Sequence, residues 1–213
     1  MTESPWPPAD LVGPGPRASG SGTLDKATRE RLLDATDQLV QQFGMSKTSM
    51  ADVARGAGVA RGTLYRYFES REVLFNAMAQ RTTERFFDEV SAAMDRRPTL
   101  AEQLGAFCEM MIRAIHPANG GLSGNPSALI RRLATQSAQA LRRTARFLQP
   151  YIESARARGE VREDLDVADA SEWLARILLS FTIFQASISY NAEDALSVSN
   201  FVQRYAITGL AGE

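Results

Sequence analysis

The chain is poor in the residues that carry most chemistry. Its 213 residues include one cysteine, Cys108, and one histidine, His116. A lone cysteine forms no intramolecular disulfide, which suits a reducing compartment and leads to the expectation of a cytoplasmic protein. One Cys and one His give no zinc-ligand spacing, so no metal is expected. Cys108 falls on an apolar helical stripe and reads as a small core residue, not a nucleophile. His116 precedes Pro117 in a Gly-rich run and reads as an exposed loop residue, not a base. The carboxylates Glu160, Glu163, Asp164 and Asp166 alternate with arginines, the pattern of a charged turn. No phosphate-cradling Gly loop or nucleophile elbow stands in a strand–turn–helix context. The chain is therefore not expected to be an enzyme or to need a cofactor.

Long apolar runs are missing too. The best candidate, WLARILLSFTIFQASISY (Trp173 to Tyr190), carries Arg176 and several hydroxyls and reads as a buried helix, so no membrane partner is expected. Strand signals are scarce: there is no sustained alternation of apolar residues and no Asn-Gly or Asp-Gly hairpin between apolar runs. Nor is there a charge excess of one sign. The formal net charge is −1, which excludes a basic nucleic-acid coat but leaves open a local contact surface. Residues 1–23 have no basic start or apolar core of a signal peptide. They are rich in Pro, Gly and Ser and are expected to form a disordered arm.

What the chain has is helical periodicity. Its composition, 44% hydrophobic and 23% charged, suits an ordinary globular domain. Leu32, Ala35, Leu39 and Phe43 predict a first helix from about Lys26, stopped by Gly44. Ser49 is placed to cap a short second helix, with Met50, Val53, Ala54 and Ala57 inward and Gly58 as its breaker. A third short helix spans about Ala60 to Phe68. Ser70 opens a long helix that meets no Gly or Pro until Pro98. Thr99 and Glu102 form a capping-box pattern before a helix carrying Leu100, Leu104, Phe107, Cys108, Met111 and Ile115. His116 to Pro126 reads as a loop. Helices are then expected over Ser127–Leu148, Pro150–Arg158, Val167–Ser189 and Asp194–Leu210, the last two as a pair.

Short helix, Gly turn and short helix make a helix-turn-helix, which leaves the second helix proud enough to enter a major groove. At about 100° per residue, Leu64 and Phe68 share the inner face of that helix. Gly62 and Arg66 lie opposite, with Thr63 beside them and Tyr65 and Tyr67 on the flanks. Gly62 would permit close approach. Thr63 and Arg66 would contact bases, and Arg61 in the first turn a base edge or a phosphate. Lys47, Thr48, Ser49 and Arg71 sit at helix starts and suit phosphate contacts. The competing reading is a solvated charged face with half-buried tyrosines.

The run from Arg31 to Phe75 resembles the N-terminal DNA-binding domain of TetR-family (tetracycline-repressor-like) transcriptional regulators. The resemblance rests on Phe43-Gly44, Thr48-Ser49, Val53-Ala54, Ala57-Gly58-Val59, Gly62-Thr63-Leu64-Tyr65, Phe68, and Ser70-Arg71-Glu72 with Leu74. Arg71 departs from the usual Lys, keeping the charge but changing the hydrogen-bond geometry. The resemblance implies phosphate contacts at Tyr65, Tyr67 and Arg71, and base reading around Arg61, Gly62, Thr63 and Arg66. It implies an all-α protein, with a three-helix helix-turn-helix domain over residues 24–70 and a helical ligand-binding and dimerisation domain over 71–213.

In that second domain Phe107, Met110, Met111, Phe147, Trp173, Ile177 and Phe181 are candidate pocket residues, because Met and aromatics line adaptable apolar sites. Each also suits plain core. Phe184, Val198, Phe201, Val202 and Tyr205 are candidate dimer residues, on the expectation of a four-helix bundle between subunits. The implied partners are a palindromic double-stranded DNA operator, a second copy of the chain and a small hydrophobic effector that releases a repressor. The alternative is a helical small-molecule-binding or protein-interaction module that does not read DNA.

Overall fold

A computed structural model describes residues 22–115, 137–184, 186–208 and 210. Residues 1–21 of the expected arm and the expected loop His116 to Pro126 lie outside the described residues, as do positions 127–136 of the helix expected from Ser127. Among the described residues the protein is all-α. Helix α1 spans Gly22–Phe43, α2 Met50–Gly56, α3 Arg61–Tyr67, α4 Arg71–Met94, α5 Leu100–Ile115, α6 Ser137–Ala157, α7 Val167–Ile183 and α8 Ala195–Tyr205, with a 3-10 turn at Met45–Lys47.

The local signals that start and stop the first helices are the ones the sequence carries. Gly44 takes φ 81°, a region that penalises any Cβ, and its N–H closes on the Val40 carbonyl at 2.8 Å. Ser49 and Asp52 form a reciprocal capping box at the start of α2. Gly58, at φ 64°, ends it in a Schellman motif: its N–H bonds the Arg55 carbonyl, and the Val59 N–H bonds that of Ala54. Three residues later α3 begins. Leu64 and Phe68, 0% and 2% exposed, anchor α3 against Leu32, Leu33, Val53 and Ala54. Burial of each such side chain contributes about 1.5–3 kcal/mol, which is what aims the opposite face of α3 outward.

Among the described residues there are two hydrophobic cores, and α4 belongs to both. Leu74, Phe75 and Met78 close the core of the first three helices. Val90 and Met94 enter a second core with Leu104, Phe107, Leu148, Ile152, Leu174 and Val198. At 24 residues, α4 is roughly 36 Å long, a rigid strut between the two.

Three helix expectations need correction. Helix α6 runs through Pro150, where two helices were expected. The exposed proline removes one backbone donor, while Leu148, Ile152 and Ala155 on both sides stay buried on one stripe and hold the helix in register. Helix α7 ends at Ile183, not Ser189, because the hydroxyls beyond it bond the backbone locally: the N–H groups of Ser189 and Tyr190 both donate to Ser187 Oγ. Nor do the last two helices pair chiefly with each other. Helix α7 packs on α6, and α8 packs on α5, crossing closely at Gly105.

Candidate nucleic-acid interface

A concavity of about 390 Å³ opens where the starts of α2, α3 and α4 converge. Lys47, Arg61 and Arg71 line it together with Ser49 and Tyr65, and no carboxylate does. Three positive charges beside the starts of α2, α3 and α4 suit an anion. On the outer side of α3, Arg61, Gly62, Tyr65 and Arg66 are exposed, and Thr63 is half-buried.

The cations of this surface meet no carboxylate among the described residues. Several arginines elsewhere do: Arg113 with Glu109, Arg158 with Glu160, Arg176 with Glu172. Among the described residues Lys47, Arg61, Arg66 and Arg71 have no salt bridge. Instead Arg61 lies over the Tyr65 ring at 5.7 Å, Arg66 over Tyr67 at 5.4 Å and Arg71 over Phe75 at 4.6 Å. Aromatic faces hold these guanidinia without neutralising them. Gly62 adds a second clue. A Cβ built there meets nothing within 4 Å, so no internal packing demands a glycine; only something approaching from outside would.

Four expected contact residues are engaged within the chain. The Thr48 hydroxyl is buried and donates to the Gly44 carbonyl at 3.0 Å. Ser49 Oγ donates to Asp52 Oδ2 at 2.6 Å while accepting from the Asp52 N–H. That bond is the first reason the Asp52 carboxyl sits below its usual range. Arg71 turns its inner edge to the chain, Nε donating to the Thr48 carbonyl at 3.1 Å and Nη2 to that of Met45. It thereby ties the start of α4 to the turn that carries Lys47, leaving Nη1 for the concavity. The Tyr67 hydroxyl donates to Asp25 in α1.

Behind the interface, α4 is clamped to α1. Arg81 is 8% exposed, and its Nη1 reaches Asp34 Oδ1 at 2.8 Å and Glu30 Oε2 at 3.0 Å. Its Nε and Nη2 are buried without a partner. Sequence reading missed this clamp, since nothing local marks Arg81 as internal.

The candidate pocket residues fall in three places. Phe107, Met110, Met111 and Phe147 come together, with Phe87 and Phe147 ring centroids 4.8 Å apart and Phe107 and Phe147 6.0 Å apart. Phe86 and Phe87 of α4 complete this wall; the doublet is visible in the sequence but was not singled out. Trp173 and Ile177 lie outside that core, Trp173 being 42% exposed. Phe181 packs instead on Tyr190 and Phe201, at 6.0 and 6.4 Å. Among the dimer candidates Phe184 and Tyr205 are exposed and Phe201 is half-buried, whereas Val198 and Val202 are core residues of their own chain, packed inward as α8 lies on α5. Burial pushes the Cys108 thiol well above its ordinary range, which leaves it inert.

Residues 32–78 match the family described as bacterial regulatory proteins, tetR family. Over 61 residues the chain is 43% identical to an HTH-type transcriptional regulator of Mycobacterium tuberculosis, a stretch covering 29% of this chain and 30% of that relative. Across 94% of this chain and 97% of the relative, it is 24% identical to the HTH-type transcriptional regulator AlkX of the same organism. Its fold matches a TetR-family regulator structure from Pectobacterium atrosepticum with a TM-score of 0.69 at 18% identity, covering 91% of this chain and 99% of that one. No helix among the described residues is long and apolar enough to cross a membrane. The family match falls on the helices that build the cationic concavity and the outward face of α3, so this part of the chain is a DNA-binding domain of the tetR family of bacterial regulatory proteins.

Proposed function

We propose that the chain is a dimeric repressor that inserts α3 into the major groove of a two-fold-related operator and releases it when a small hydrophobic molecule binds behind α4. The unpaired cations around the α2–α4 starts carry the reading. Lys47 and Nη1 of Arg71 meet phosphates; Gly62, Thr63 and Arg66 face the bases; Arg61 and Tyr65 border the two regions. Thr48 and Ser49 hold the turn in shape.

The dimer surface is the apolar patch at the end of α7 and on α8. Phe184, Leu196 and Tyr205 are 71%, 59% and 55% exposed, large apolar side chains that a second copy would cover. Trp173 and Ile177 on the outer side of α7 extend it. Two copies related by a two-fold axis present two α3 helices, and an operator with half-sites one helical turn apart requires about 34–36 Å between them. The effector site is the wall of Phe86, Phe87, Phe107 and Phe147. Because α4 joins both cores, a molecule that displaces the α4 end of this wall shifts α3 through the Arg71 and Arg81 ties.

The test is a band-shift titration on a duplex selected from a random-sequence pool, repeated with hydrophobic compounds that raise the protein's thermal stability. Binding of one dimer per palindromic site, weakened by such a compound and not by Phe107→Ala protein plus compound, supports the reading. A stabilising compound that competes at the Phe107 wall yet leaves DNA affinity unchanged overturns the effector part of it.

A further inference from the structure

We infer that Asp25 is a built-in brake on DNA binding: its carboxylate occupies the phosphate seat of Tyr67. Tyr67 lies on the flank of the reading helix, where its hydroxyl faces the wall of a bound groove. A phosphate oxygen is only an acceptor, so a contact there needs the phenol to donate. The phenol has one proton, and in this structure it goes to Asp25 Oδ1. The carboxylate is exposed in the first turn of α1, and it offers the phenol the same chemistry a phosphate would, an anionic oxygen. The two acceptors exclude each other.

Asp25 also brings charge of the wrong sign. The ring of Tyr67 carries Arg66 over its face at 5.4 Å, so the carboxylate stands beside an exposed cation of α3. DNA binding gains from counterion release in proportion to the positive charge brought to the phosphates. A carboxylate at this edge subtracts from that gain on every sequence alike, because phosphates carry no sequence information. Asp25 therefore sets the overall strength of DNA binding and leaves the choice of sequence to the outward face of α3. This rests on the placement of α3 in the groove proposed above.

The inference is tested with Asp25→Ala, Asp25→Asn and Tyr67→Phe, alone and combined, in the full-length chain. Binding to a labelled generic duplex is followed by anisotropy across a salt series, with thermal unfolding as a check on folding. Asp25→Ala is expected to tighten binding about three- to tenfold at low salt and to steepen the salt dependence by up to about one. Asp25→Asn should fall between Asp25→Ala and wild type, because the amide still accepts from the phenol without the charge. Tyr67→Phe should weaken the Asp25→Ala protein about threefold or more, and wild type by clearly less. Unchanged or weaker binding by Asp25→Ala, or an equal Tyr67→Phe loss in both backgrounds, overturns the brake. Arg66→Ala separates the two levels: if it too leaves DNA binding unchanged, the groove placement fails, whereas a loss there with no Asp25 effect sinks the brake alone.

Discussion

Replacing Gly62 by alanine should strengthen the fold and weaken its function. Gly62 is the second residue of α3, and a methyl group there touches no atom of the protein within 4 Å. Alanine loses less backbone entropy than glycine on entering a helix, an effect of about 0.5–1 kcal/mol. For a chain of this size that raises the unfolding midpoint by about 1–4 °C. On DNA the same methyl stands between the helix and the base edges, and a binding loss of at least about tenfold, roughly 1.4 kcal/mol, is expected. Gly105 serves as the opposite control. A Cβ there would meet Gln203 Nε2 at 2.5 Å and Ser199 Oγ at 2.7 Å, so Gly105→Ala should lower stability by about 1–3 kcal/mol through overpacking. Thermal unfolding at fixed protein concentration and anisotropy on a selected duplex measure both quantities. A Gly62→Ala protein that binds DNA like wild type, or that unfolds earlier, refutes the assignment of this glycine to an outside partner.

Removing both carboxylates of the α1–α4 clamp, Glu30→Ala with Asp34→Ala, strands a buried guanidinium and should cost about 3–5 kcal/mol in urea unfolding. Arg81→Met should cost less than about 1 kcal/mol, since two buried nitrogens lacking partners disappear with it; equal losses would contradict this asymmetry. Glu160 ties the start of α5 to the turn after α6, its Oε2 accepting from the Leu100 N–H at 2.6 Å. Burial pushes its carboxyl up, but the bonds from Arg158 and Leu100 outweigh this and hold it below its usual range. Because the folded value is the lower one, this contribution is complete above the unfolded value of about 4.3 and is lost as pH falls from there through the folded value. Glu160→Gln should therefore be less stable at neutral pH and show a flatter stability profile below about pH 5, as read from urea midpoints. Phe184→Lys with Tyr205→Lys should give a monomer by sedimentation velocity if the exposed patch joins two copies.

The readable parts of the sequence were those set by local physics. Gly44, Ser49, Gly58, Ser70 and Thr99 mark helix ends because φ preference and capping act within a few residues, and the 3.6-residue period placed Leu64 and Phe68 inside and Gly62 and Arg66 outside. What stayed hidden depended on distant partners. Tyr67 finds Asp25 across 42 residues of sequence, and Arg71 finds the Thr48 carbonyl across 23; neither choice leaves a trace in periodicity. Trp173 looked like a pocket residue because α7 is apolar around much of its circumference, and only the packing of α6 on the Leu174 and Leu178 side settles which face turns in. Pro150 looked like a boundary because its local cost is real, and a buried stripe on both sides outweighs it.

The claim that one face of α3 reads bases while the starts of α2 and α4 hold phosphates is tested most directly by selecting duplexes from a random pool with wild type, Arg66→Ala and Lys47→Ala, and measuring each on its own selected site across a salt series. Lys47→Ala should select the wild-type sequence, bind it more weakly, and lower the salt slope by about one. Arg66→Ala should lose preference at particular base pairs, each worth about 1–3 kcal/mol of discrimination. Two variants that select the same sequence as wild type with the same salt slope would contradict the division of labour on which the interface is built.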